Sequence, residues 1–104
     1  MSKEMFFGKP QYMTRGISDR LPFQLMAYLW EYIRELGNEV ELDYLQVFSF
    51  SSEGNKLVIK HSQEVPPAEK LYELDMSPGF PVPDEKIFVI DDEDHATMLW
   101  ASEY

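Results

Sequence analysis

The feature of this sequence that most limits its fold is a change in the period of its apolar residues. From about Leu21 to Leu36 these residues recur at helical spacing. They form one stripe, which consists of Leu25, Met26, Leu29, Ile33 and Leu36. Ser18 or Asp19 can cap the start of the helix, and Pro22 lies near its first turn, where a missing N–H is harmless. Gly37-Asn38 is typical of a helix end.

After this helix the pattern changes to the period of two that is typical of strands. The stretches "DYLQVFSFS" and "KLVIKHSQE" alternate in this way, and the turn composition of residues 52–55 between them predicts a β-hairpin. A weaker strand, "EKLYELD", follows the stop at Pro66-Pro67. The segment "KIFVI" predicts a strand that leads through an acidic turn into "TMLWASEY". For that last stretch we favour a returning strand over a helix, because its apolar residues lack helical spacing.

These elements predict one α+β domain over residues 1–104, with one main helix packed on a mostly antiparallel sheet of about five strands. The stretch "YMTRGI" before the helix is also strand-like. The predicted core consists of Leu25, Leu29, Ile33, Phe48, Ile59, Phe88 and Ile90. Trp30 and Phe23 widen the apolar arc of the helix beyond what a single sheet needs. Either loops or Met5-Phe6-Phe7 cover these edges, or Trp30 and Phe23 belong to an exposed contact patch.

The charge of the chain limits its partners. The net charge is −10, and it is uneven: residues 1–52 carry seven acids and five bases, whereas residues 53–104 carry twelve acids and four bases. This balance argues against direct binding to nucleic acid or to an anionic membrane, because both need clustered Lys and Arg. The chain has no cysteine, and "MSKEMFFGKPQY" holds no apolar run of the length of a signal peptide or a membrane span. We therefore expect a cytoplasmic location.

Four stretches of the sequence resemble a known family. They are "YMTRGI" followed by "LP", "DYLQVFSF", "IKHSQEVPP" and, most specifically, the ending "KIFVIDDEDHATMLWASEY". Over Tyr12 to Tyr104 the chain is similar to small proteins of Gram-positive bacteria and their phages that are grouped as domain of unknown function nine-sixty. The sequence departs from the family mainly in the loop "SPGFPVP". The resemblance implies this genomic setting and no particular activity.

The acidic run before the last predicted strand is a candidate metal site. Asp91, Asp92, Asp94 and His95, with Glu93 between them, offer the oxygen ligands that a hard divalent ion prefers. The run lacks the alternating ligands and central glycine of a calcium loop, so we expect neither a tight metal ion nor any cofactor. Two other interpretations remain open. The run can be a charged hairpin tip, since Asp favours tight turns, or it can be an acidic docking surface for a basic partner.

His61 lies on the same predicted strand face as Leu57 and Ile59, where a histidine is usually a core-edge residue with one nitrogen satisfied. With Glu64 it could form an acid–base pair, but none of the common nucleophile, phosphate-loop or zinc motifs is present. Arg15 is the best single anion contact, although an ion pair with one of the many acids explains it as well.

Three classes of function follow. We favour a small acidic accessory protein that acts as a protein-interaction module, with Phe23, Trp30 and Trp100 as contact residues and a protein partner or a weak homodimer on the Trp30 side of the helix. The alternative is a nucleic-acid mimic that inhibits a DNA-binding protein. The third class, an enzyme with a carboxylate–histidine site, has the least support, because no catalytic motif accompanies the histidines.

Overall fold

The computed structural model describes residues 10–92 and 94–104. The elements in chain order are β1 (Gln11–Met13), α1 (Arg15–Arg20), α2 (Phe23–Leu36), β2 (Leu45–Glu53), β3 (Lys56–Gln63), β4 (Ala68–Asp75), β5 (Ile87–Asp91), β6 (Ala96–Trp100) and a short 3-10 helix (Ala101–Glu103). Six strands form one sheet in the order β1-β6-β5-β2-β3-β4. All neighbours are antiparallel except β1 and β6, which are parallel. The predicted α+β architecture is confirmed, with one strand more than expected.

The segment before the main helix differs from its prediction. Only Gln11–Met13 forms a strand, and the rest of "YMTRGI" turns into α1. Thr14 caps α1, because its side-chain oxygen accepts a hydrogen bond from the Ile17 N–H. The main helix then begins at Phe23 rather than Leu21, since Leu21 already serves as the C-cap of α1. The sequence therefore predicted one helix, whereas the structure has two helices joined by a short link.

The hairpins follow the predicted turns. Gly54 has a φ of 62°, a left-handed conformation that glycine adopts without strain, and it joins β2 to β3. Strand β3 ends at Gln63, before Pro66-Pro67, and "EKLYELD" lies within β4. The stretch after the acidic run is strand β6, as favoured, and the chain then forms the 3-10 helix.

The hydrophobic core lies between the helices and one face of the sheet. Leu29 and Ile33 of α2 and Phe48 and Ile59 of the sheet are 0 % exposed, and Leu25 is 4 % exposed, so five of the seven predicted core residues are confirmed. These side chains belong to one continuous cluster with Ile17 of α1. Both helices therefore cover the same face of the sheet.

The other two predicted core residues were assigned to the wrong face. Phe88 and Ile90 are half-buried, whereas Ile87 and Val89 of the same strand are 0 % exposed and lie in the core cluster. Successive side chains of a strand point to opposite faces, so Phe88 and Ile90 lie on the side away from the helices. The four consecutive apolar residues of β5 hide this alternation in the sequence.

Hydrogen bonds with Thr14 and Glu85 hold the C-terminal residues in place. An oxygen of Glu103 accepts hydrogen bonds from the Thr14 hydroxyl at 2.7 Å and from the Trp100 N–H at 2.8 Å. The Ser102 N–H donates to Glu85 at 3.0 Å. The ring of Tyr104 then meets the ring of Phe88 edge-on, with centroids 5.4 Å apart. The chain end is thus fixed beside the sheet face that the helices leave uncovered.

Replacing Leu29 by Ala tests the core. Leu29 is 0 % exposed, so Leu29→Ala should lower the free energy of unfolding by about 2–5 kcal/mol, the usual cost of truncating a buried leucine. Leu71 of β4 is 67 % exposed, and Leu71→Ala is the matched control, with an expected change within about 0.5 kcal/mol. Urea unfolding followed by circular dichroism measures both values. Equal losses in the two variants would contradict the described core.

Candidate interaction surface

Asp91 of the acidic run ends β5, and Asp92 and Asp94 lie between β5 and β6. The Asp91 N–H donates to the Tyr44 carbonyl at 2.8 Å, and the Asp92 N–H donates to the His95 carbonyl at 2.8 Å. The His95 ring lies against the Tyr12 ring, with centroids 5.4 Å apart. Among residues 10–92 and 94–104, no three acidic or histidine side chains are placed to hold a metal ion, and Glu93 lies outside this described part. The run thus connects two strands, as the hairpin interpretation expects.

His61 belongs to a buried hydrogen-bond network rather than to an acid–base pair. Its Nδ1 lies 3.1 Å from the Tyr32 hydroxyl, and its Nε2 lies 2.5 Å from the side-chain oxygen of Gln46. Since an amide oxygen only accepts, Nε2 carries the proton and Nδ1 accepts from Tyr32. Glu64 is exposed, and its N–H donates to Asp43. Both ring nitrogens of His61 are therefore hydrogen-bonded inside the core, and neither of their partners is Glu64.

Two glutamines extend the network to a loop. The Gln46 amide donates to the Gln63 side-chain oxygen at 2.7 Å, and the Gln63 amide donates to the carbonyls of Glu41 and Pro66, each at 2.9 Å. Gln46 is 0 % exposed and Gln63 is 5 % exposed. The sequence held a signal for these residues, because an amide at Gln46 shares the strand face of Phe48 and so has to be hydrogen-bonded in the core.

Burial determines the titration of His61. Loss of solvation and, to a smaller extent, the nearby charge of Lys70 lower the pKa of His61 to about 4. The imidazole is therefore neutral in the folded protein at neutral pH. Neutral His61 has no lone pair free for a substrate, since Tyr32 and Gln46 use both nitrogens. The network is suited to fixing helix α2 on the sheet.

The three predicted contact residues lie in different places. Phe23 is 72 % exposed at the start of α2. Trp30 is half-buried and packs against the core while it lines a shallow cavity of about 260 Å³ between α2 and β1. Trp100 is 1 % exposed, with the Arg20 guanidinium 4.4 Å from its ring centre. Its burial places Trp100 in the core and corrects its assignment to a contact patch, because the last strand turns this side chain toward the helices.

A larger apolar surface lies on the sheet face opposite the helices. The strand register places its side chains in rows across the sheet. One row is Tyr12–Thr97–Ile90–Leu45, and the next is Leu99–Phe88–Val47–Ser62–Glu69. We call the apolar part of these rows, Leu45, Val47, Phe88, Ile90 and Leu99, the sheet patch.

The sheet patch is separate from the core. None of its five side chains belongs to the described core cluster or to the half-buried residues packed against that cluster. The two described helices turn their buried residues to the other face. Exposed Tyr104 stands beside Phe88 at one border of the patch. Leu45, Val47, Phe88 and Ile90 are half-buried and Leu99 is 8 % exposed, and within residues 10–92 and 94–104 no helix covers them. Aliphatic and aromatic side chains on such a sheet face are typical of a binding surface.

The part of this face that lies on β3 and β4 is charged. Lys60 pairs with Glu69 at 2.7 Å and Lys56 pairs with Asp75 at 2.5 Å, and Leu71 stands exposed among them. Each of these ion pairs is about half or more exposed at one partner, so their contribution to stability is small. Their effect is on recognition, because they give the sheet patch one charged border.

The low pKa of His61 predicts how stability depends on pH. Above pH 6.5 the imidazole is neutral in both the folded and the unfolded chain, so His61 has no effect there. Below pH 6.5 only the unfolded chain takes up the proton, and stability falls until about pH 4, where the folded chain is protonated as well. The expected loss over this window is on the order of 3 kcal/mol.

A His61→Gln variant, which cannot take up this proton, should show a correspondingly smaller loss between pH 6.5 and 4 in urea unfolding series. The His61 ring protons should titrate with a midpoint near 4 by NMR. A midpoint near 6.5 and equal pH slopes for the two proteins would contradict the buried network.

Comparisons with known proteins agree with this fold. A family described as staphylococcal protein of unknown function, DUF960, matches residues 10–103. No curated protein matches the chain. A crystal structure of a protein of unknown function from Enterococcus faecalis is similar, with a TM-score of 0.82, 25 % sequence identity, and coverage of 100 % of this chain and 98 % of that one. No helix in the described part of the chain is long and apolar enough to cross a membrane. The chain belongs to the DUF960 family.

Proposed function

We propose that this protein is a protein-interaction module and that its sheet patch binds another protein. The observation that supports the proposal is the separation of the patch from the core: Val47 and Phe88 stand in the middle of the sheet and pack on neither helix. When a partner covers such a face, each Å² of apolar area removed from water contributes roughly 25 cal/mol of favourable free energy. The charge and the absence of cysteine are compatible with a cytoplasmic accessory protein.

The arrangement of the sheet patch suits a central contact. Phe88 has Val47 on one side and Leu99 on the other in the same row, and Ile90 and Leu45 fill the next row. Interface energy concentrates in large side chains near the centre of a contact, with polar groups around them. Phe88 therefore is the residue we expect to contribute most to binding.

The alternative functions have less support. A nucleic-acid mimic needs free carboxylates at regular spacing, whereas Glu69 and Asp75 on this face are paired with lysines and the centre of the face is apolar. The carboxylate–histidine enzyme loses its best candidate, since His61 is buried and both of its nitrogens are hydrogen-bonded. Both observations favour an interaction role.

The helix side offers a second and smaller contact area. Phe23 is exposed there, and Trp30 lines the cavity beside β1. Trp30 also packs on the core, so truncating it changes stability as well as any binding. Phe23 is the better probe of this side, because its exposed ring can be removed with little effect on the fold.

A double variant tests the proposal. In Val47→Thr/Phe88→Thr, threonine keeps the strand preference and removes most of the apolar contact, so binding of a partner should weaken at least tenfold while the circular dichroism spectrum is kept. The partner is first captured on the wild-type protein from host cells and purified. Its dissociation constant is then measured by calorimetry with each variant.

Two matched variants locate the contact. Leu71→Thr lies on the charged part of the same face and should change the dissociation constant less than threefold, and Phe23→Thr should behave in the same way. Loss of binding in Phe23→Thr alone would move the site to the helix side. Unchanged binding by the double variant would overturn the proposed role of the sheet patch.

A further inference from the structure

We infer that the sheet patch binds a partner segment with an apolar centre flanked by lysine or arginine, rather than a second copy of this chain. The inference rests on the proposed function and adds the chemical class of the partner. It follows from the charges that border the patch on two sides.

Acidic side chains lie at the end of the sheet next to the Leu45–Ile90 row. Asp92 and Asp94 are exposed between β5 and β6, and the end of β5 is held next to the start of β2 by the hydrogen bond from the Asp91 N–H to the carbonyl of Tyr44, the residue before β2. Glu64, just after β3, is joined to the same end, because its N–H donates to Asp43 at 3.2 Å. This end of the strands thus presents exposed carboxylates beside apolar side chains.

The side of the patch on β3 and β4 adds no free positive charge to this face. Its two lysines, Lys56 and Lys60, already pair with Asp75 and Glu69. The hydrogen bond and charge of Asp75 raise the pKa of Lys56, and Glu73 on the same face adds to the rise. Three acids thus accompany two bases on the β3–β4 part of the face, and its net charge is negative.

A second copy fits these borders poorly. It would bring a further net charge of −10 and the same acidic ends, and like charges facing each other across an interface oppose association. A segment with an apolar stripe and cations at its edges fits better. Its stripe would pack on the patch, and its cations would lie next to the carboxylates. Charge complementarity of this kind raises the association rate and excludes acidic competitors.

Two synthetic amphipathic peptides test the inference on the full-length protein. Both carry the same leucine stripe; one has lysines along its flanks and the other has glutamates. We expect the lysine peptide to shift the amide NMR signals of β2, β5 and β6 around Val47 and Phe88. It should bind at least tenfold more tightly than the glutamate peptide at 50 mM NaCl, and the difference should shrink at 500 mM NaCl, where charges are screened.

Variants separate the apolar contribution to peptide binding from the charge contribution. Val47→Thr/Phe88→Thr should abolish the shifts, whereas Asp92→Asn/Asp94→Asn should keep them and reduce the preference for the lysine peptide at least twofold. Equal binding of both peptides at the patch would overturn the inference and leave the proposed interaction role intact. Shifts confined to the Asp92–Asp94 turn, or no binding by either peptide, would overturn it as well.

Sedimentation of the protein alone tests whether a second copy of the chain occupies the patch. We expect a monomer at 50 mM NaCl. A dimer at this salt concentration that Val47→Thr/Phe88→Thr dissociates would show that the occupant is a second copy, which overturns the basic partner while the patch keeps its role as an interface.

Discussion

A single layer of helix can bury only one face of a sheet, and the rest of this structure depends on that constraint. Leu29 and Ile33 of α2 pack with Phe48 and Ile59 of the sheet to form the core, and Ile17 of α1 joins the same cluster. Both described helices lie on this side of the sheet. The opposite face nevertheless carries Val47 and Phe88 at its centre, so its composition is that of a buried surface, yet the described residues place no helix on it.

The buried polar network explains how the helix layer is positioned on the sheet. A chain of hydrogen bonds runs from the Tyr32 hydroxyl on α2 through His61, Gln46 and Gln63 to the backbone of the loop at Pro66. Each bond needs its donor to meet the intended acceptor, whereas apolar contacts alone tolerate sliding. The network therefore selects one position of α2 and one strand register. Gln46 faces inward in this network, so its neighbour Val47 faces outward, where it pairs with Phe88 of β5.

The sequence predicted those parts of the fold whose patterns have a clear period. The main helix and the hairpin of β2 and β3 have such patterns, and their inward residues were identified correctly. Strand β5 has no alternation, because Ile87 to Ile90 are all apolar, so the sequence could not show which two side chains face the helices. Helix α1 is only six residues long, and its one buried residue, Ile17, is too little to establish a period.

The candidate interaction surface was predicted only in part. Exposed Phe23 was identified from the width of the helix arc, whereas Trp100 was misplaced because aromatic character does not distinguish a core residue from a contact residue. The sheet patch was not predicted at all. Its side chains look like core residues in the sequence, and only the placement of both described helices on the other face shows that they lie outside the core cluster.

Two identical substitutions on strand β5 test most directly whether the sheet has one buried and one uncovered face. Ile87 is 0 % exposed on the helix side, and Ile90 is half-buried on the outer side. In urea unfolding, Ile87→Ala should cost about 2–5 kcal/mol and Ile90→Ala less than half of that, because its side chain remains partly in water when the chain is folded. Equal losses for the two variants would contradict the account, since they would mean that the outer face is packed as tightly as the core.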